Sequence, residues 1–229
     1  MTERAKERRR RLGRRRQRGG SIATLYDVHG NLRALEAVLA EIPDDATIVV
    51  GGDVVAGGEQ PGETLERLRG LGDRVRWLRG NADRELMPGE EGLAPPELIE
   101  ATRAQLSQEQ IEFLHALPET VQIDRVLFCH ATPRNDVDIF TERTPEERIA
   151  PLFADVNADV VVVGHTHTQF ERVVAGRRVL NSGSVGLPYE DEPGAYWTLD
   201  LVHRRTPYDG AALTQTREQA VLLFTERGL

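Results

Sequence analysis

From Ser21 onward, short apolar runs alternate with segments of helical spacing. SIATLY (21–26) reads as a strand. Leu32, Leu35, Val38, Leu39 and Ile42 follow at helical spacing, with Asn31 placed to cap that helix and Pro43 to stop it. TIVV (47–50) is a second strand, so this stretch predicts a strand–helix–strand unit with parallel strands and a right-handed crossover. ETLERLRGLG (63–72) predicts a second helix and RVRWL (74–78) a third strand. From Arg84 to Leu117 the spacing is helical, with breaks at Pro88, Pro95 and Pro96. Ile99, Leu106, Ile111, Leu114 and Leu117 mark the apolar side of this helical insert (84–117), expected to pack on the core. VQI (121–123) and RVLFCH (125–130) predict a strand pair, and TPEERIAPLFADV (144–156) a helix opened by Thr144 and Pro145. The unalternated run Val160 to Val163 is the kind of strand that is covered on both faces. FERVVAG, RRVLNSGSVG and AYWTLDLVHRRT predict short antiparallel strands between Gly and Pro turns, and a terminal helix is expected over 210–227. The fold class is α/β, with strand–helix alternation first and a strand-rich second part.

Five of the predicted strands share one property: each delivers a polar side chain at its end. Asp27 and His29 follow the first, Asp53 follows Gly51-Gly52, and Asn81 follows Gly80. His130 ends the fifth, and His165 and His167 follow Gly164. Alternate residues of an extended backbone point to one side, so Asp27 with His29, and His165 with His167, are expected to face a site together. Open α/β sheets bind ligands at the carboxyl ends of their strands. Any one of these residues alone is better explained as a turn residue, a local hydrogen bond or a buried histidine. Their recurrence at successive strand ends is what points to chemistry. Carboxylate, amide oxygen and imidazole without thiolate suit Mn²⁺, Fe, Zn²⁺ or Mg²⁺. Seven ligands exceed one tetrahedral ion but suit two that share a carboxylate, an arrangement that clamps a phosphoryl group and activates water.

Composition narrows the setting. The 229 residues, 39% hydrophobic and 29% charged, fit one soluble domain, taken as 21–229. No apolar run reaches the roughly 18 residues of a membrane span, and the lone Cys129 excludes an internal disulfide and favours the cytoplasm. Charge is uneven: residues 1–20 carry ten Lys+Arg and two Glu, whereas the rest carries 19 Lys+Arg against 35 Asp+Glu. Residues 1–20 are expected to be a disordered basic extension, the one part of the chain through which nucleic acid could bind. Homo-oligomerisation is left open.

D-x-H-G-N (27–31), G-D (52–53), G-N-x-D (80–83), the lone His130 and G-H-T-H (164–167) resemble, in order and spacing, the calcineurin-like metallophosphoesterase superfamily. N-S-G-S-V-G (181–186) resembles an element of its small bacterial and archaeal phosphodiesterase branch. The resemblance covers about residues 21–208 and implies two packed mixed β-sheets flanked by helices. It implies one metal held by Asp27, His29, Asp53 and His167, and a second by Asp53, Asn81, His130 and His165. Manganese is favoured, with Fe, Zn, Ni or Mg as alternatives. It implies hydrolysis of a small phosphate ester by in-line attack of a metal-bridging hydroxide, with Asp53, Asn81 and His130 at the chemistry and no covalent phosphoenzyme. Arg84 and Arg134 are candidates to fork onto the substrate phosphate.

Three positions depart from the family's pattern. Tyr26 stands where a small residue is usual, and its ring is expected to narrow the approach. Ser182 replaces a proline. Ala82 replaces a histidine or cysteine and can donate no proton, which predicts a phosphodiesterase that favours good leaving groups over alkyl monoesters. The alternatives are a phosphomonoesterase and a non-catalytic protein-binding scaffold of the same fold. His115, His203 and Cys129 are read as structural.

Overall fold

A computed structural model describes residues 20–228; the basic arm, apart from Gly20, lies outside the described residues. Among the described residues, ten strands form two five-stranded mixed sheets. The first contains β1 (Ile22–Leu25), β2 (Thr47–Gly51), β3 (Val75–Leu78), β9 (Ala195–Leu199) and β10 (Val202–Thr206), in the order β10-β9-β1-β2-β3. The predicted parallel strand–helix–strand unit is present: β1 runs parallel to β2 with Leu25 opposite Val50, and β2 runs parallel to β3 with Gly51 opposite Leu78. The second contains β4 (Thr120–Ile123), β5 (Val126–Cys129), β6 (Val160–Val163), β7 (Gln169–Val174) and β8 (Arg177–Ser182), in the order β4-β5-β6-β8-β7. Here β5, β6 and β8 are parallel, while β4 and β7 run antiparallel on the edges. Parallel central strands in both sheets point their carboxyl ends the same way, which is what assembles the site.

The apolar runs lack alternation because both faces of each central strand are covered. Val49, Leu78, Phe128, Val162 and Leu180 are buried in one cluster between the sheets. Their neighbours Ile48 and Val50 pack instead with Leu35 and Val38 of α1 (Leu32–Leu39) and Leu65 and Leu68 of α2 (Pro61–Arg69). Val161 and Val163 pack with Ile149 and Phe153 of α6 (Glu146–Phe153). Burial on both faces is the signature of such strands. The insert is three helices, α3 (Asn81–Glu85), α4 (Pro96–Arg103) and α5 (Gln108–His115), with Ile99, Ile111 and Leu114 buried on the first core.

Three local expectations need correction. Thr144 does not cap α6: its hydroxyl accepts from Thr141 N at 2.9 Å, and the helix starts at Glu146 without a side-chain cap. The terminal helix, α7 (Arg217–Arg227), starts seven residues later than expected, because the capping box that opens it is formed by Thr216 and Gln219. Tyr26 does not narrow the approach to the site. Its ring is fully buried between the sheets, and its hydroxyl donates to Val162 O at 3.0 Å. It fits there because a Cβ on Gly51 would stand 2.2 Å from the ring. Asn31 caps α1 as expected, accepting from Ala34 N at 3.1 Å. Ser182 bonds Thr24 across the two sheets at 2.9 Å, a buried link that a proline could not make.

Candidate metal centre

Five turns meet at the carboxyl ends of β1, β2, β3, β5 and β6, and they bring all seven predicted ligands together. The backbone there is unusual. Asp27, His29, Asp53, His165 and His167 all have φ between 49° and 67°. This left-handed region is unfavourable for residues with a Cβ, and clusters of such residues occur where the surrounding structure enforces them at functional sites. The expectation of alternate residues in an extended strand was therefore wrong in mechanism. Tight turns aim these side chains inward, and the first two turns are bonded together. Asp27 N donates to Gly52 O, His29 N to Asp53 O and Gly30 N to Val54 O, at 2.9–3.1 Å. His165 and His167 accordingly reach different halves of one centre.

The first half contains Asp27, His29 and His167, the second Asp53, His130 and His165, each with ligand atoms within 4.8 Å of one another. Backbone carbonyls set the tautomers. Nδ1 of His29 lies 2.6 Å from Ala56 O, Nδ1 of His130 2.9 Å from Gly51 O, and Nδ1 of His167 2.7 Å from Leu187 O. A carbonyl only accepts, so each Nδ1 carries a proton and each Nε2 is turned to the centre, as in ligating histidines whose other ring nitrogen donates to a carbonyl. Nε2 of His29 then faces Nε2 of His167 at 3.1 Å. Burial pulls His29 below the ordinary imidazole value; burial and then His29 pull His167 well below it. Two bare nitrogens at that distance repel unless a cation lies against both. Ligand atoms about 2.1 Å from one ion stand about 3.0–3.5 Å apart, so the pair fits a metal. His165 is turned the other way, with Nδ1 3.2 Å from Nε2 of His130; burial and then His130 hold it down to about 4.

The carboxylates divide their oxygens between scaffold and centre. Asp27 Oδ2 accepts from His165 N at 2.9 Å, while its buried Oδ1 has no hydrogen-bond partner and lies 3.6 Å from Nε2 of His167. Asp53 Oδ1 accepts from Ala82 N at 2.9 Å, and Oδ2 stands 3.5 Å from Nε2 of His130 and 4.0 Å from Nε2 of His29. Asp53 Oδ2 thus looks into both halves. Burial alone would raise Asp53, but His130, His29 and His165 hold it below the ordinary carboxylate range. Asn81 presents Oδ1 3.3 Å from Nε2 of His130. Glycine is required beside these groups: a Cβ on Gly80 would lie 2.2 Å from Asp53 Oδ1, and one on Gly164 2.6 Å from Asp27 Oδ2.

Arg84 and Arg134 follow the ligands but are engaged elsewhere. Arg84 forks onto Asp136 at 2.9 and 3.3 Å, and Arg134 onto Asp138 at 3.0 and 2.6 Å. His203 Nε2 bonds Asn181 O, His115 pairs with Glu90, and Cys129 is buried, in line with structural roles. Sequence reasoning missed Tyr189, which stacks on His167 with ring centroids 4.7 Å apart, and no spacing signal marked it. It also undervalued Asp83. Its carboxylate accepts from Asp53 N, Val54 N and Gly80 N at 2.8–3.0 Å, tying the turn after β2 to the turn after β3. Burial, and then Asp53, push Asp83 up to about 7. Asp83→Ala strands three buried N–H groups, so urea denaturation of the metal-free protein is expected to register a loss of about 3 kcal/mol. A loss below about 1 kcal/mol would contradict this role.

A family model for the calcineurin-like phosphoesterase superfamily domain matches residues 21–204. An uncharacterized protein of Methanocaldococcus jannaschii is 31% identical over 191 residues, covering 76% of this chain and 72% of that protein. A symmetrical bis(5'-nucleosyl)-tetraphosphatase of Pectobacterium carotovorum is 33% identical over 123 residues, and the match spans 43% of its length, less than half. Among solved structures, a metallophosphoesterase from Sphaerobacter thermophilus is 26% identical, with a TM-score of 0.69 over 83% of this chain and 89% of that one.

Proposed function

The chain belongs to the calcineurin-like phosphoesterase superfamily, and on that footing we propose that it is a phosphodiesterase working with two divalent ions. One ion is assigned to Asp27, His29, Asp53 and His167, the other to Asp53, Asn81, His130 and His165. The observation that carries the reading is the pair of inward-facing nitrogens of His29 and His167, 3.1 Å apart, with the partnerless Asp27 Oδ1 beside them. The ions would supply Lewis acidity toward phosphoryl oxygens and lower the pKa of water. Manganese is the metal we favour, and the donor set, oxygen and imidazole without sulfur, suits it as it suits iron, zinc or magnesium.

The chain's own residues do the positioning. Gly51 O, Ala56 O and Leu187 O hold three imidazoles in the ligating tautomer. Asp53 spans the two halves through Oδ2 while Ala82 N fixes its other oxygen. Diester preference rests on what is missing beside Asn81. The Ala82 side chain is buried in the first core, and Asp83 is fully buried with both oxygens turned to backbone N–H groups, so neither residue reaches a leaving group to protonate it. Without a general acid, typically worth about 10²–10⁴-fold, the enzyme depends on leaving groups that depart unprotonated. The likeness to a tetraphosphatase supports a small phosphate-ester substrate. No helix among the described residues is long and apolar enough to cross a membrane. The single cysteine, buried and without a partner for an internal disulfide, supports a reducing, cytoplasmic setting.

The test is turnover of bis-p-nitrophenyl phosphate and p-nitrophenyl phosphate after metal stripping and return of Mn²⁺. Metal-dependent diester hydrolysis that exceeds monoester hydrolysis, and falls steeply as leaving-group pKa rises, is expected. Faster monoester turnover would move the assignment to a phosphomonoesterase. Two bound ions with neither activity would favour a scaffold.

A further inference from the structure

Glu85 belongs to none of the motifs, yet it is only 3% exposed and its carboxylate makes three hydrogen bonds. Oε1 accepts from Asn81 Nδ2 at 2.9 Å and from Leu93 N at 3.0 Å, and Oε2 accepts from Ala94 N at 3.0 Å. The first bond runs from one end of α3 to the other, where residues four apart share a face. The other two reach the segment that joins α3 to α4. That segment passes so close that a Cβ on Gly92 would lie 1.7 Å from Oε1.

An amide has two ends, and only its oxygen can ligate a cation. A carboxylate only accepts, so the bond to Glu85 obliges the NH₂ end of Asn81 to point away from the centre. Oδ1 is thereby turned toward His130, at 3.3 Å from Nε2. Without Glu85 the amide is free to rotate and present NH₂ to the centre. We propose that Glu85 is a positioning residue for the second metal half. It fixes the Asn81 amide with oxygen inward and links that setting to the segment carrying Leu93 and Ala94.

The inference rests on the two-ion reading, and its test separates the two. Mn²⁺ is titrated calorimetrically into the metal-free full chain, into Glu85→Ala and into Glu85→Gln. Loss of an outer partner of a ligand typically weakens metal binding about 10–100-fold. Glu85→Ala is expected to lose that much at one of two sites and to leave the other within about threefold. Glu85→Gln keeps an oxygen at Oε1 for Asn81 and Leu93, so it restores most of the lost affinity. A purely structural role would weaken both sites together or neither. A second readout uses the wild-type chain alone: metal loading should slow amide hydrogen exchange at Leu93 and Ala94, because the ion and Glu85 hold the same amide. Two intact sites in Glu85→Ala, equal losses at both, or unchanged exchange at Leu93 and Ala94 would overturn the proposal. Fewer than two ions bound by the wild-type chain would overturn the two-ion reading and the proposal with it.

Discussion

Asp53→Asn is expected to lower kcat/KM for the diester about 10³-fold, and to abolish the rise in Tm that metal loading gives the wild-type chain. The reason lies in how the two oxygens are used. Oδ1 accepts from Ala82 N, and Oδ2 faces His29 and His130 across the boundary of the two halves. An asparagine satisfies only one of these demands. With its oxygen toward Ala82, it turns NH₂ into the centre and repels a cation. With its oxygen inward, NH₂ meets the Ala82 N–H and leaves two buried donors without acceptors. Either orientation also removes the only charge that both halves share. A loss of 10³-fold corresponds to about 4 kcal/mol of transition-state stabilisation, the scale seen when one preorganised electrostatic partner is removed. Metal titration of the variant should show weakened binding in both halves, unlike Glu85→Ala. A variant within about tenfold of wild-type activity would rule out Asp53 as the shared ligand.

Much of this centre is legible in the sequence, and the reasons are specific. β2, β5 and β6 are short, apolar and followed directly by Gly or His, and β1 reaches Asp27 through Tyr26 alone, so strand ends and ligands nearly coincide in the text as well as in space. What could not be read is how the turns aim their side chains. The extended-strand argument put His165 and His167 on one side, but left-handed backbone at both residues sends them to different halves. That conformation is held by bonds between distant turns, such as His165 N to Asp27 Oδ2 and Tyr189 N to His167 O, which local spacing does not record. Tyr26 misled for a related reason. Its position beside Asp27 suggested the mouth of the site, whereas glycines on two other strand ends open a slot for it between the sheets. Glu85 was invisible because one glutamate in a polar stretch is ordinary, and its partners Leu93 N and Ala94 N are backbone atoms. Residues that ligate advertise themselves by type, while residues that hold ligands in place show only in three dimensions.

The second ion's affinity is expected to fall about 100-fold between pH 8 and pH 6, because one proton on His130 must leave before the ion can bind. Both nitrogens of this ring face acceptors. Nδ1 donates to Gly51 O, and around Nε2 stand His165 Nδ1 at 3.2 Å, Asn81 Oδ1 at 3.3 Å, Asp53 Oδ2 at 3.5 Å and Asp27 Oδ1 at 3.9 Å. Burial works against a charged imidazole, but Asp53 and then Asp27 outweigh it and push His130 up to about 10 in the metal-free protein. Below that value each unit of pH adds about tenfold to the competition between proton and ion. Asp27, raised by burial and then by Asp53, acts in the same direction. The sign for stability follows from the same proton. A histidine raised in the folded state stabilises the metal-free fold fully below its unfolded value of about 6.5, and that contribution disappears as pH rises through about 10. Metal-free protein should therefore lose stability toward alkaline pH, just where the centre binds metal best, so loading would replace a proton-held arrangement with an ion-held one. Calorimetry of Mn²⁺ binding at pH 7.5, in two buffers of different ionisation enthalpy, counts the protons. At least one released per second ion is expected; none released would mean that His130 is neutral before the metal arrives, and that its ring of acceptors is held apart by something other than a proton.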